Sequence, residues 1–275
     1  MGNDIVLTSG VRANLLQLQR TSDLITSTQT RLATGKRVNT ALDNPVNFFT
    51  AAGLQNRASD LGNLLDSMSS AFNTIQAANN GITSITKLVQ SAQALVSQAQ
   101  QTSDTNVRQS LSVQFDAILG QIGQLAADSG FNGINLLDNN TSADLTVTLN
   151  ENGTSTVTIA AVDFSATGDL AINNSLNNWG GTADIAAASG ELTAALTTLR
   201  SQAQAFGSNL STVQIRQEFT KAMINTLQTG ADGLTLADPN EEGANLLALQ
   251  TRQQLSTTAL SLASQASQAV LRLFQ

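Results

Sequence analysis

The chain has 275 residues, a net charge of −7, and no His, Cys or Tyr. Lacking His and Cys, it has neither the commonest general base nor a thiol nucleophile nor the ligands of zinc and iron–sulfur sites, and its acidity argues against nucleic acid or an anionic membrane as partner. Only 12% of its residues are charged, against about a quarter in ordinary domains, so its solvated faces are built from Gln, Asn, Ser and Thr, which an assembly can bury without stranding charge.

From the start, Met1-Gly2-Asn3-Asp4 and Ile5-Val6-Leu7 offer too short an apolar run for a signal-peptide core. No stretch reaches the roughly 18 apolar residues of a membrane span. The expectation at this point is a cytoplasmic protein, or one exported without cleavage of a leader. A first helix is predicted from Asp4 to Thr34, with Val11, Leu15, Leu18, Ser22, Ile25, Gln29 and Leu32 in 3–4 spacing and Gly35 as its stop. Asn44-Pro45 then reads as an N-cap followed by proline at the first helical position.

The next helix carries Leu54, Ala58, Leu61, Leu65, Met68, Phe72, Ile75, Asn79 and Ile82 in register. The phase slips by three residues near Gly81 and resumes as Ile85, Val89, Ala92, Val96 and Ala99, a slip that overwinds a coiled coil without ending it. A shorter helix follows on Leu111, Phe115, Ile118, Ile122 and Leu125. Leu145, Val147 and Leu149 alternate, Asn152-Gly153 supplies a turn, and Val157, Ile159 and Ala161 alternate again, which predicts a β-hairpin. Residues 165–190, rich in Gly, Asn and Ala, read as a loop-dominated return.

A long register then runs Leu192, Leu196, Leu199, Ala203, Phe206, Leu210, Val213, Gln217, Thr220, Ile224 and Leu227, with Gly230 and Gly233 expected to stop it. Asp238-Pro239-Asn240-Glu241 has capping-box spacing for a last helix, Pro239 to Leu273. That helix carries two adjacent stripes: Leu255, Ala259, Leu262, Ala266, Ala269 and Leu273, and beside them Leu260, Ala263, Val270 and Phe274. One partner cannot cover both, so the helix is expected to meet several neighbours, with the second stripe assigned to subunit contact.

The fold class expected is mainly α: long antiparallel coiled-coil helices from both termini forming an elongated rod, with a small β-hairpin region in the middle. The first and last helices match in reach, about 46 Å and 52 Å. Residues 1–44 with 237–275 form one expected domain. Residues 45–236 form the other, including the hairpin near 144–162. The carboxylates of Asp43, Asp238, Glu241 and Glu242 read as caps and ion-pair partners in preference to acid–base groups. Arg31, Lys36 and Arg37 cluster at a helix end. There they either complement the C-terminal dipole on a solvated face or pair with an acid across a subunit contact.

Two stretches at the ends carry a family pattern. Arg31-Leu32-Ala33-Thr34-Gly35-Lys36-Arg37-Val38-Asn39 with Asp43-Asn44-Pro45 resembles the N-terminal signature of bacterial flagellins. Ala237-Asp238-Pro239-Asn240-Glu241-Glu242, Leu247-Ala248-Leu249-Gln250-Thr251-Arg252-Gln253-Gln254-Leu255 and the ending Val270-Leu271-Arg272-Leu273-Phe274 resemble the C-terminal one. Phe131-Asn132-Gly133-Ile134-Asn135-Leu136-Leu137 is similar to the family's entry to the central region. The resemblance covers about 1–140 and 190–275, in the short style of alphaproteobacterial flagellins without large outer domains.

What the resemblance implies is a non-enzymatic subunit without cofactor or metal, a homopolymer forming the extracellular flagellar filament for swimming. It implies export in the unfolded state through the flagellar type III apparatus. It also implies an export chaperone, a filament cap and hook-junction proteins as partners. The terminal helices would line the filament channel. Candidate subunit-interface residues are Val11, Leu15, Leu18, Ile25, Leu32, Arg31, Lys36, Arg37 and Asp43 at one end. At the other they are Asp238, Glu241, Arg252, Leu255, Leu260, Leu262, Val270, Leu273 and Phe274. A hook–filament junction protein of the same superfamily is the alternative, and a non-flagellar signalling coiled coil would need a membrane span or sensor domain. Flagellins detected by the mammalian toll-like receptor carry Arg-Glu-Leu-Ala-Val-Gln on the first long inner helix. Here Gln93-Ala94-Leu95-Val96-Ser97-Gln98 stands in that place, without either charge.

Overall fold

A computed structural model of the chain describes residues 9–139 and 143–273. The helices are α1 (Ser9–Thr34), α2 (Pro45–Gln101), α3 (Thr105–Asp128), α4 (Thr182–Thr235) and α5 (Pro239–Leu273), and an antiparallel hairpin of β1 (Leu145–Thr148) and β2 (Thr156–Ile159) lies between α3 and α4. The chain is thus mainly α with a small hairpin in the middle. Its contacts divide it into two compact units, 1–56 with 226–275 and 57–225. The division falls within α2 and within α4, about ten residues inside the boundaries expected from the sequence.

The 57–225 unit has one apolar core. Of the α2 positions expected to face inward, Ala58, Leu61, Met68, Ile75, Ile82, Ile85, Val89, Ala92, Val96 and Ala99 are buried, whereas Leu54, Leu65, Phe72 and Asn79 are half-buried and Ala71 and Ala78 take the inward places of the last two. The phase slip expected near Gly81 is absent: Met68, Ala71, Ile75, Ala78, Ile82, Ile85 and Val89 keep one unbroken 3–4 repeat, and α2 is continuous through 57 residues. In α4, Leu192, Leu196, Leu199, Phe206, Val213, Thr220 and Leu227 are buried in the expected register. In α3 the buried set is Leu111, Phe115, Leu119, Ile122 and Ala126. Ile118 and Leu125, taken from the sequence as seam positions, pack at its edge. The hairpin pairs Leu145 with Ile159 and Val147 with Val157, turning its Thr-rich face outward.

Polar side chains close the helix ends. Asp104 caps α3 by accepting from the Asn106 and Val107 amides, and the buried Arg108 turns back so that its Nε donates to the carbonyls of Ala99 (3.2 Å) and Thr102 (2.8 Å) at the end of α2. The Asn44 side chain accepts from the Asn47 amide at 3.0 Å, the cap expected before Pro45. Asn132 and Gly133 both have positive φ, 51° and 80°, so Phe131 and Ile134 exchange two backbone hydrogen bonds across a tight turn. The buried Asn135 donates to the carbonyls of Ala126 and Ala127 at the end of α3.

Three local expectations are corrected. The return is shorter than 165–190, because α4 already begins at Thr182. Residues 185–190 are helical because Ile185, Ala188 and Leu192 share one buried face. Gly230 and Gly233 do not stop α4, which runs on to Thr235. Ala231 and Thr235 continue its buried face, and that packing outweighs the roughly 1 kcal/mol cost of each helical glycine. The hairpin turn is centred one residue earlier than Asn152-Gly153: the Gly153 amide donates to the Asn150 carbonyl, and the Asn150 side chain holds the Ser155 amide at 3.0 Å. The hydrogen-bonding reach of that Asn sets the loop.

Gly81 marks where α2 approaches the end of α3. A Cβ there would lie 2.3 Å from Ser129 Oγ and 2.6 Å from Leu137 Cδ1, and Ser129 is pinned by its own 2.6 Å bond to the Leu125 carbonyl. Gly62 on the same helix has open space at that position. Gly81→Ala is therefore expected to destabilise by about 1–3 kcal/mol through overpacking, whereas Gly62→Ala stabilises by about 0.5–1 kcal/mol. Urea midpoints of the two variants would check this, and a shift of the same sign in both would contradict it.

Candidate assembly surface

The terminal unit pairs α1 with α5, and these two helices approach more closely than any other helix pair among the described residues. They are antiparallel: Arg31 near the end of α1 meets Glu242 near the start of α5. The inward α1 positions are Val11, Asn14, Leu18, Thr21, Ile25, Thr28 and Arg31. Opposite, the inward positions of α5 are Glu242, Leu246, Leu249, Gln253, Ser256, Leu260 and Ala263. Both sets keep a 3–4 repeat, as a coiled-coil seam requires.

This seam differs from the one expected on α1. Thr21, Thr28 and Arg31 take the inward places assigned to Ser22, Gln29 and Leu32, and Asn14 that of Leu15. Threonine suits the seam because its hydroxyl bonds back along its own helix, Thr21 Oγ1 to the Gln17 carbonyl at 2.9 Å, leaving a methyl toward the partner. Small side chains then let the backbones close in. Leu18 stays in the seam, while Leu15, Leu24 and Leu32 face outward, 39%, 51% and 39% exposed. On α5 the assignment of the two stripes is reversed. Leu260 and Ala263 pack toward α1, while Leu255 and Leu262 are 67% and 61% exposed.

Polar contacts within the chain hold the ends of α1, α4 and α5 together. Gly35, at φ +68°, ends α1 in the left-handed conformation. Its carbonyl accepts from the Ala237 amide (3.0 Å), Lys36 forms a backbone bridge with Leu236, and the Arg37 amide donates to the Thr235 carbonyl (2.8 Å). Arg37 Nη2 donates to the Gly233 carbonyl at 3.3 Å, a cation at the C-terminal end of α4. Arg31 Nη1 pairs with Glu242 Oε1 at 3.1 Å, and Glu242 is buried. Of the two readings left open for these cations, the contacts found inside the chain are the helix-end contact for Arg37 and an ion pair for Arg31. Asp238 Oδ1 accepts from the Asn240 amide (2.8 Å) as the α5 cap; Glu241 and Arg252 are exposed.

Asp43 Oδ2 accepts from the Asn39 and Thr40 amides (3.0 and 2.9 Å) and from the Thr40 hydroxyl (3.2 Å), closing the 39–43 turn. Its pKa is lowered, chiefly by the Thr40 amide and then by that of Asn39. A depressed carboxylate stabilises the fold above its unfolded pKa, and that contribution is lost as pH falls through the lower folded value. The turn should therefore stay clasped until the pH is below the ordinary Asp value of 3.8. NMR titration of Asp43 with the Asn39 and Thr40 amide shifts checks this; a midpoint at or above the ordinary value would contradict it. Asp43→Asn should loosen the two amides at neutral pH.

The predicted interface residues therefore separate. Val11, Leu18, Ile25 and Leu260 serve the intrachain seam, whereas Leu15, Leu32, Leu255 and Leu262 face outward. The side chains of Val270 and Leu273, and Phe274 as a whole, lie outside the described residues. The sequence reading missed other exposed apolar groups, Leu24, Leu247 (67%), Leu42 (96%), Val46 (73%) and Phe49 (65%). Leu247 was legible as the continuation of the Leu255–Leu262 stripe one turn-pair upstream, and Leu42, Val46 and Phe49 as an i, i+4, i+7 set. Among the described residues no group of His, Cys, Asp or Glu could hold a metal, and no helix is long and apolar enough to cross a membrane. The other carboxylates with recorded partners brace loops: Asp116 accepts from the Ser175 amide and hydroxyl, and Glu191 from Asn173.

The model of the bacterial flagellin N-terminal helical region matches residues 8–142, and that of the C-terminal helical region matches residues 189–274. Flagellin FljN of Caulobacter vibrioides is 31% identical over 274 residues, covering 99% of each chain. FljM of the same organism is 29% identical over 280 residues with 99% of each chain covered, and the flagellin of Brucella melitensis is 26% identical over 293 residues, covering 98% of this chain and 99% of its own. The crystal structure of Bacillus cereus flagellin superposes with a TM-score of 0.48 at 22% identity, over 57% of this chain and 88% of that one. With both terminal helical regions matched in order and near-full-length relatives of the same short type, the chain belongs to the bacterial flagellins, the structural subunits of the extracellular flagellar filament.

Proposed function

We propose that the α1–α5 pair is the part of this flagellin that neighbouring copies bury, and that it lines the channel of the filament. The observation that carries this is the outward placement of leucine on both helices. Leu15, Leu24 and Leu32 on α1 and Leu247, Leu255 and Leu262 on α5 are exposed, in addition to the Leu18, Leu246, Leu249 and Leu260 that already fill the seam beside Thr21, Thr28 and Ser256. A helix pair that carries leucines on its outward faces as well as in its seam gains from further helices around it. The subunit has no catalytic role. It is exported unfolded through the flagellar type III apparatus, escorted by a chaperone, and added beneath a cap beyond the hook-junction proteins.

Deleting residues 256–275 tests the assignment. The expected product is a soluble monomer whose 57–225 unit keeps its helices, since that core draws nothing from α5. It should form no filaments when seeded, as judged by sedimentation and electron microscopy. Filaments of normal appearance from the truncated chain would refute the assignment.

A further inference from the structure

Two exposed patches of the 57–225 unit have apolar centres and opposite charge. On one, Phe131 is 39% exposed at the tight Asn132-Gly133 turn, at the edge of a shallow depression of about 450 Å³ that Asp66 also lines. Asp128, three residues before Phe131, is exposed as well. On the other, Phe219 and Ile215 of α4 are 55% and 62% exposed, one helical turn apart. Phe219 lines a cleft of about 230 Å³ floored by Leu61, Leu149 and Met223. Arg57 and Arg216 line the same cleft. Arg57 is neutralised by Glu151, and Glu218 and Lys221 on the same helix carry opposite charges that cancel in sum, which leaves Arg216 as the net positive charge of this patch.

We infer that the Phe131 turn of one copy docks into the Phe219 cleft of the next, with Arg216 facing Asp66 and Asp128 across the contact. The inference rests on the filament reading and adds to it a second contact, away from α1 and α5. A helical polymer is built from heterologous contacts, in which two different patches of one chain must be complementary to each other. These patches meet that condition. Each centres on one aromatic ring, and the acidic residues of one match the surplus arginine of the other. Within a single chain neither has its counterpart: no ion pair engages Arg216 among the described residues. An Arg left beside an apolar cleft is weakly placed in water and strongly placed against two carboxylates as water is excluded.

The chain has no Cys, so introduced thiols report on one geometry only. Phe131→Cys subunits and Phe219→Cys subunits are mixed, polymerised on seeds and treated with a short bismaleimide. The expected product is a covalent dimer joining the two variants, absent from either variant polymerised alone and from unpolymerised mixtures. No mixed dimer in well-formed filaments would overturn the pairing. In a second arm, Arg216→Glu should raise the critical concentration about tenfold or more, a loss of roughly 1.4 kcal/mol. Adding Asp66→Arg and Asp128→Arg to the same chain should restore it to within about threefold. An unchanged critical concentration in Arg216→Glu, or a loss that the compensating pair leaves untouched, would sink the inference while the filament reading stood. Failure of the unaltered chain to polymerise would count against the filament reading itself.

Discussion

Leu255→Gln with Leu262→Gln is expected to raise the critical concentration for assembly about 30- to 1,000-fold while leaving the monomer's helices in place. Burying a leucine fully is worth about 1.5–3 kcal/mol. These two are 67% and 61% exposed in the single chain, so most of that gain is still available on assembly. Two such residues amount to about 2–4 kcal/mol per added subunit, and each 1.4 kcal/mol is about tenfold in the equilibrium constant. Gln is chosen because it is nearly as good a helix former as Leu and similar in length, so α5 itself is little disturbed. The contrast is Leu260→Gln, on the inward face toward α1. That change should lower the stability of the terminal helix pair in the monomer, which the outward pair should not. Helical circular dichroism during thermal unfolding and sedimentation of seeded polymers separate the two effects. Normal assembly by the double outward variant would show that neighbouring copies do not use this stripe.

Weak activation of the mammalian toll-like receptor is the second large effect. The stretch Gln93-Ala94-Leu95-Val96-Ser97-Gln98 lies on α2, where Val96 is buried and Ala94, Ser97 and Gln98 are exposed. The face it offers a partner is therefore neutral and short, in place of the Arg and Glu of the detected flagellins. A receptor site built to pair with a guanidinium loses roughly 2–5 kcal/mol when that group is missing and its own charge stays buried without a partner. That is a loss of more than tenfold in affinity. Reporter cells given depolymerised protein should respond only at concentrations at least tenfold above those needed for a flagellin carrying the Arg–Glu pair. Gln93→Arg with Ala94→Glu should recover part of the response. An equal response from the unaltered chain would place recognition on other residues.

The sequence by itself determined the elements wherever burial and local chemistry agree. The inner register of α4 and most of that of α2 were legible because large apolar residues recur every three to four positions; at Ala71 and Ala78 the larger Phe72 and Asn79 misdirected the reading. The ends were legible because Gly35, Asn44-Pro45 and Asp238-Pro239 each act through their own backbone neighbourhood, which needs no tertiary partner. The family, too, was legible in the two end signatures.

What only the tertiary structure decided is which face of α1 and α5 turns inward. Hydrophobicity places Leu15, Leu32 and Leu255 at the seam, but the inward positions are those of Asn14, Arg31 and Ser256, one residue away, because the face that turns inward is set by the partner helix and by the Arg31–Glu242 pair. The pairing of Arg31 with Glu242 spans 211 positions, and the need for a glycine at Gly81 comes from Ser129 and Leu137 far along the chain. The run of α4 through Gly230 and Gly233 likewise follows from packing at Ala231 and Thr235 that outweighs local propensity. A sequence records what each residue prefers on its own. Which preference prevails depends on what stands opposite, and chain folding alone supplies that neighbour.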